Sequence, residues 1–549
     1  MKKLVALIIV LIPFCSIAQY NIYKILNNNA ENITALESDT SGIIYSALIF
    51  DKRPNPFGAI DQIVIETDTG DYIITPQTTQ SIGILKQGVN GSLKFFKQIE
   101  LNFRSNGSKG LSIKVDIHKN IYIAGIFYSK VDFDPGLDSS FLTSNDSEHL
   151  PSFFVLKLDQ FGNFIWVKKI RTDAAYSHHT KLFFNNKYEL VLISAFAGYA
   201  DFDPDTASVA KSIHYPHPGI FILRLDTNGT YIDAKQIGTG TYLTDVVLDY
   251  NLDFIITGFF RLPTDFDPDL NANLFYPFKS IQNSFIGKYN SDGNLIWVNR
   301  MYTNSRSPAS VSVDKLNNIY AYGGISGATD TFDFQLGSNN PNRLVYHEQT
   351  KSFFYICEIS PLGQVEKINV MYEEELYRSV KHGIRGEDGH YLSGNYVESA
   401  TYFPNFLRKI DNDTNIVFDI SYQSIHGIEF MNFVRPNTII AASFTSYKVT
   451  PNGYNAGPGV YYIIIDDASI GFDEKKLKKE NIKLYPNPTN GNLQIDHLNV
   501  KKVEIYDISG KLVKVEFSSI FSVRMLKSGI YFVRVYSDNE INNLKFIKE

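Results

Sequence analysis

Between residues 110 and 372 apolar and polar positions alternate in short runs broken by glycine-containing turns. Four stretches align: SFFVLKLDQFGNFIWVKKI (152–170), GIFILRLDTNGTYIDAKQI (219–237), NSFIGKYNSDGNLIWVNRM (283–301) and KSFFYICEISPLGQVEKINVM (351–371). Each reads as a β-rich run, a polar turn and a second β-rich run. That is a hairpin whose glycine supplies the positive φ of a short bulged loop. A second hairpin precedes three of them, in SIKVDIHKNIYIAG (112–125), DVVLDYNLDFIITG (245–258) and SVSVDKLNNIYAYG (310–323). An acid opens each of these turns (Asp116, Asp249, Asp314), and a glycine ends each following strand (Gly125, Gly258, Gly323).

The unit is therefore four strands in two hairpins, with a spacing of 69 residues from Asp132 to Asp201 and 64 from Asp201 to Asp265. Four-stranded units in tandem predict the blades of a β-propeller, an all-β fold. Second hairpins or their remnants are marked by Leu85, Leu156, Leu223, Ile286, Ile356, Leu407 and Ile463. That counts seven blades over residues 19–470, with six or eight as alternatives. Residues 62–75 read as an extra hairpin inserted in the first unit. The last unit lacks a fourth strand, and Tyr20–Ile25 resembles one. The N-terminal segment is thus expected to complete the last blade and remove two exposed sheet edges. Trp166 and Trp297 each follow a turn glycine by four residues, which suggests packing anchors between blades.

Residues 1–18, MKKLVALIIVLIPFCSIA, have a basic start, an apolar run and a small-residue cleavage site, the pattern of a secretory signal peptide. No later run approaches the length of a spanning helix, so no transmembrane segment is expected in the mature chain. Fifty-two Lys and Arg against 58 Asp and Glu give a formal charge of −6, which argues against a nucleic-acid partner. The chain has two cysteines, Cys15 and Cys357, so a disulfide framework is excluded by count. Cys357 lies in an apolar run and reads as a packed core thiol.

Three units carry an acidic loop after the second strand: Asp132-Phe133-Asp134-Pro135, Asp201-Phe202-Asp203-Pro204 and Asp265-Phe266-Asp267-Pro268. A degenerate copy is Asp330-Thr331-Phe332-Asp333. Paired carboxylates suit a hard cation, so Asp132, Asp134, Asp201, Asp203, Asp265 and Asp267 are Ca²⁺ candidates. The alternative is an Asx-type turn, with each Asp accepting nearby backbone N–H groups and the Phe docked in the core. No nucleophile elbow, zinc-protease motif or phosphate-binding loop occurs, and His178, His179, His214 and His217 lack a third partner at ligand spacing. No catalytic or cofactor-binding residue is assigned.

After Asp466 the texture changes. Residues 471–480 form a charged linker, and 481–549 alternate as a small immunoglobulin-like β-sandwich. Tyr485-Pro486-Asn487-Pro488, Tyr506-Asp507-Ile508-Ser509-Gly510-Lys511, Ser528-Gly529-Ile530-Tyr531 and Lys545-Phe546-Ile547-Lys548 occur there in order. This module resembles the type A C-terminal sorting domain of the type IX (Por) secretion system of Bacteroidetes. The middle is similar to bacterial β-propeller repeats with DFDPG loops, although only Asp132–Gly136 carries the full form. The resemblance implies export through the periplasm to the medium or outer cell surface, with the type IX machinery as a partner of 481–549. The expected passenger is a binding or scaffolding propeller for a surface glycan or protein. The alternative is a secreted glycan hydrolase or lyase with its site on the central face.

Overall fold

The computed structural model describes residues 19–466 and 484–549, apart from 28–29, 40–42, 52–62, 68–69, 75–79, 89–91, 102–109, 146–149, 206–209, 214–216, 270–273, 276–282, 302–307, 326–330, 334–342, 346–352, 373–376, 388, 398–403, 424–427, 436–437, 446–458, 490, 496–499, 508–511 and 537–540. The candidate signal peptide and the charged linker lie outside the described residues. The chain divides into two compact units, Met1–Ile470 and Gly471–Glu549. Both are all-β, with no helix among the described residues.

The first unit is a succession of antiparallel four-stranded sheets. The first is Ala30–Ser38, Ile43–Asp51, Gln80–Gly88 and Leu93–Leu101. The second begins with Ser112–Val115, Ile121–Phe127 and Ser152–Leu158 and ends on the start of the long strand Phe164–Phe184. The end of that strand opens the third sheet, followed by Leu190–Asp201, Gly219–Leu225 and Tyr231–Ile237. The fourth is Thr241–Leu248, Phe254–Phe260, Asn283–Tyr289 and Leu295–Met301. The fifth is Ser310–Val313, Ile319–Ile325, Phe353–Ile359 and Val365–Tyr372. The sixth is Tyr377–Arg385, Gly389–Val397, Pro404–Asp411 and Ile416–Gln423.

The last sheet contains Ile428–Arg435, Thr438–Thr445 and Gly459–Asp466, and its fourth strand is the N-terminal Gln19–Asn27. Gln19 pairs with Asp466 and Tyr23 with Tyr462 in antiparallel register. The extra hairpin, Ile63–Thr67 and Gly70–Ile74, extends this sheet by pairing with residues 26–27. Leu85, Leu156, Leu223, Ile286, Ile356, Leu407 and Ile463, the seven positions marked from sequence, each fall on the third strand of a different sheet. First strands of consecutive sheets are neighbours, and the first strand of the last sheet neighbours that of the first sheet.

Burial explains why second and third strands read as apolar runs rather than clean alternations. Each is covered on both faces by neighbouring sheets. Ile121 and Ile123 pack with Ile82, Ile84 and Ile99 of the first sheet, whereas Tyr122 and Ala124 pack with Leu192, Phe221 and Leu223 of the third. The same layering recurs between the third and fourth, fourth and fifth, and fifth and sixth sheets. Cys357 lies in the fourth–fifth layer, fully buried, and burial pushes its thiol pKa up. It is a core residue.

Eight hairpin turns of the second to sixth sheets open on a side chain that caps them. Asp116 Oδ1 accepts the N–H groups of His118 and Asn120, both at 2.8 Å, and Asp159 Oδ1 does the same for Phe161 and Asn163. Asn185, Asp226, Asp249, Asn290, Asp314 and Asp411 repeat the arrangement. The fourth turn residue is left-handed throughout, for example Lys119 at φ 66° and Gly162 at φ 80°.

The second unit is a sandwich of a three-stranded sheet (Leu484–Tyr485, Asn492–Ile495, Ile520–Ser522) and a four-stranded one (Leu512–Glu516, Lys502–Tyr506, Gly529–Tyr536, Ile541–Lys548). Leu493, Ile495, Val503, Ile505, Phe521, Val533 and Phe546 fill the space between them.

Candidate functional site

Three places concentrate polar chemistry: the acidic loops, the meeting point of the first strands, and the sorting-type motifs of the second unit.

The acidic loops are the tips of small two-stranded ribbons. Lys130–Asp132 pairs with Phe141–Thr143, and Thr264–Asp265 with Leu274–Phe275. In the third sheet Ala210–Ile213 pairs with the end of the Leu190–Asp201 strand. Asp132 Oδ1 accepts the N–H of Asp134 at 3.1 Å and of Ser140 at 2.7 Å, and Asp134 Oδ1 accepts that of Gly136 at 2.7 Å. Asp201 and Asp203 take the N–H groups of Asp203 and Asp205 at 3.3 and 3.0 Å. Asp265 and Asp267 take those of Asp267 and Asp269 at 3.1 and 3.0 Å. These are Asx turns, which explains the two-residue spacing of the acids.

The phenylalanine between each pair is fully buried. Phe133 meets Phe127 and Phe154, Phe202 meets Phe196 and Phe221, and Phe266 meets Phe260 and Phe285, all at centroid distances of 4.6–5.4 Å. The six acids thus stay in three separate ribbons. No group of three or more His, Cys, Asp or Glu placed to hold a metal ion occurs among the described residues. The closing residue also has a use that sequence reading missed. Asp205 and Asp269 reach back to Lys168 and Lys235 on the preceding sheet, the latter pair at 2.7 Å. Where the motif ends on Gly136, that bridge is absent.

The first strands bring together residues remote in sequence. Asp245 of the fourth sheet accepts from Val246 N at 2.9 Å and lies 3.4 Å from Lys181 Nζ of the third. Its other oxygen accepts Val311 N of the fifth sheet at 3.1 Å. The Ser310 hydroxyl lies 3.1 Å from that oxygen and 3.3 Å from Gly383 O of the sixth, and donates to either. His382, beside Gly383, has its pKa pushed down to about 4, chiefly by burial. The Asp245 charge opposes that shift, and Lys181, Lys381 and His179 reinforce it. Four sheets thus contribute to one polar cluster in which the imidazole is neutral at neutral pH and Asp245 ties three first strands together. Of the histidines noted in sequence, His179 belongs here. The partners are 60–200 residues apart in the chain, so no local pattern announces the cluster.

In the second unit three of the four motifs converge. The Asn487 side chain donates to Lys545 O at 2.8 Å and accepts Ile547 N at 2.9 Å, so the first motif is clamped on the last. Thr489 N donates to Ile547 O, and Glu549 N donates to Thr489 O. Gly529–Tyr531 pairs in register with Phe546–Lys548, and the Tyr531 and Phe546 rings stack at 5.3 Å. Arg534 lies over the Tyr506 ring at 5.6 Å. Residues 508–511 of the second motif lie outside the described residues.

Comparison with known proteins gives limited likeness over most of the chain. A 220-residue stretch is 23% identical to an uncharacterized WD repeat-containing protein of Acanthamoeba polyphaga mimivirus, covering 35% of this chain and 16% of that protein. The chain thus spans about a sixth of the length of this curated relative. A crystal structure of a protein of unknown function from Bacteroides caccae aligns with 64% of this chain and 94% of its own, at 9% identity and a TM-score of 0.29. One from Dyadobacter fermentans, also of unknown function, aligns with 81% and 99%, at 9% identity and a TM-score of 0.30. Among the described residues no helix is long and apolar enough to cross a membrane. Residues 483–549 match the secretion system C-terminal sorting domain, a match that supports a type IX secretion substrate, implies contact with that machinery, and indicates secretion or attachment at the outer cell surface.

Proposed function

We propose that the first unit is a seven-bladed β-propeller, carried to the cell exterior by the sorting domain, where it binds a surface glycan or protein as a rigid module. One observation carries this reading: consecutive first strands are neighbours, and the last returns to the first. Four-stranded units in such a circle form a propeller. The WD-repeat relative points the same way, since that repeat is also a four-stranded blade. Propellers present ligand-binding loops on a stiff support.

The test is a glycan array probed with the mature chain, residues 19–549, with and without Ca²⁺. Saturable binding is the expected result, and a blank array removes the glycan from the proposal. Thermal melts in EDTA and in millimolar Ca²⁺ address Asp132, Asp134, Asp201, Asp203, Asp265 and Asp267. A cation that binds only the folded state raises the midpoint, so coincident melts remove Ca²⁺.

A glycan hydrolase or lyase is the second reading, favoured by the meeting of Asp245 and His382 among the first strands. It predicts turnover of a glycan substrate that His382→Ala abolishes.

A further inference from the structure

We infer that the layer between the fifth and sixth sheets contains a binding site for a small oxyanion group (carboxylate, phosphate or sulfate), built on Arg385 and His390.

The inference starts from register. In the second to fifth sheets the last residue of the first strand faces the first residue of the second strand. These pairs are Val115–Ile121, Phe184–Leu190, Leu248–Phe254 and Val313–Ile319 in the second to fifth sheets, all apolar. In the sixth sheet Arg385, the last residue of the first strand, faces His390, the second residue of the second strand. A cation and an imidazole thus stand where four sheets place aliphatic or aromatic side chains.

The surroundings do not neutralise this substitution. Arg385 Nε and Nη1 are buried with no hydrogen-bond partner. Its guanidinium lies 5.2 Å from the centre of the Tyr320 ring, and the His390 ring meets Tyr320 edge-on at 5.1 Å. His390 is 5% exposed, and its Nδ1 lies 3.0 Å from the Tyr322 hydroxyl. Burial, then the charges of Arg385 and Lys367, push its pKa down to about 3. Two acids are close, Asp314 and Glu358, and the Tyr320 hydroxyl, 3.0 and 3.4 Å from them, donates to one or the other.

Buried donors of a guanidinium left unmet are costly, and a planar two-oxygen acceptor is their natural complement. Tyr322, Phe354, Ile356, Leu392 and Phe406 pack in the same layer, so a bound charge there is less screened than at the surface. This site is independent of the first-strand cluster and of the glycan reading.

The experiment uses the mature chain with sodium phosphate, sulfate or acetate at constant ionic strength set with chloride. Thermal melting and the His390 ring NMR signals are followed together. The expected result is a saturable rise in melting midpoint for at least one anion, with a displaced His390 resonance. Acetate acting alone identifies a carboxylate ligand, and phosphate or sulfate identifies a tetrahedral one. Arg385→Leu places an aliphatic side chain opposite His390, as the second, fourth and fifth sheets have at this strand end, and is expected to fold and lose both responses. Arg385→Lys keeps the charge but loses the fork, and weakens binding about tenfold or more. The inference is overturned by the absence of any anion effect on the wild type, or by equal responses in the wild type and both variants.

Discussion

The inner and outer hairpin turns of the first unit share one capping scheme but differ at the fourth residue. Inner turns, joining strands one and two, place Lys119, Tyr188, Leu252 and Asn317 at φ 61–67°. Outer turns, joining strands three and four, place Gly162, Gly229, Gly293 and Gly363 at φ 80–85°. A left-handed conformation alone therefore does not demand glycine here, although it costs a side chain roughly 1–2 kcal/mol. The neighbouring sheet does. A Cβ on Gly229 would lie 2.7 Å from Lys168 Cγ and 3.2 Å from Trp166, and one on Gly363 would lie 2.8 Å from Trp297. Each outer turn rests on the fourth strand of the sheet before it. Side-chain donors fasten the contact: Lys86 Nζ donates to Gln160 O, Lys157 Nζ to Thr227 O and Trp297 Nε1 to Pro361 O, all at 2.9–3.0 Å. Backbone conformation is thus set by what lies beneath the turn. In the sixth sheet the outer turn carries Thr414 at φ 68°. Four residues past Gly363, where the second and fourth sheets have Trp, the fifth has Lys367.

The contrast breaks most visibly at Gly363. Gly363→Ala adds left-handed strain and an overpacked contact with Trp297, a loss of about 2–4 kcal/mol in urea unfolding. If it costs no more than Asn317→Ala on the inner turn, the explanation from packing fails. The two tryptophans give a finer comparison. Trp166 Nε1 is buried with no partner, whereas Trp297 Nε1 holds Pro361 O. Trp297→Phe should therefore destabilise by about 1 kcal/mol more than Trp166→Phe, measured as the difference between the two unfolding free energies. The smallest effect is expected at Lys119→Gly, under about 1 kcal/mol, because relief of strain offsets the freedom gained by the unfolded chain.

What the sequence made legible follows the same division. Turn glycines, opening acids and apolar runs repeat locally, so the hairpins and the third-strand positions such as Leu156 and Ile286 could be read directly. The sorting-type motifs were equally plain because each is short and contiguous. The acidic loops were seen but admitted two chemistries. Only the backbone amides of Asp134, Asp203 and Asp267 reveal that the carboxylates cap their own turns. The cluster around Asp245 and His382 stayed invisible because it is assembled from four sheets. Arg385 and His390 escaped notice for a different reason. They look like ordinary polar residues beside a turn, and only the register sets them apart from apolar pairs such as Val313–Ile319.

The pairing of Gln19–Asn27 with Gly459–Asp466 carries a consequence for how the molecule is made. Its partners are separated by more than 430 residues, so this contact is among the last that a chain emerging from its N-terminus can form. Until then the first segment has no final place, and the last sheet keeps an open edge that invites pairing with other chains. Such long-range closure is intrinsically slow. Closure of the first unit thus waits until the strand Gly459–Asp466 is available to the first segment. The two ends of the first unit therefore complete it together, as one late step.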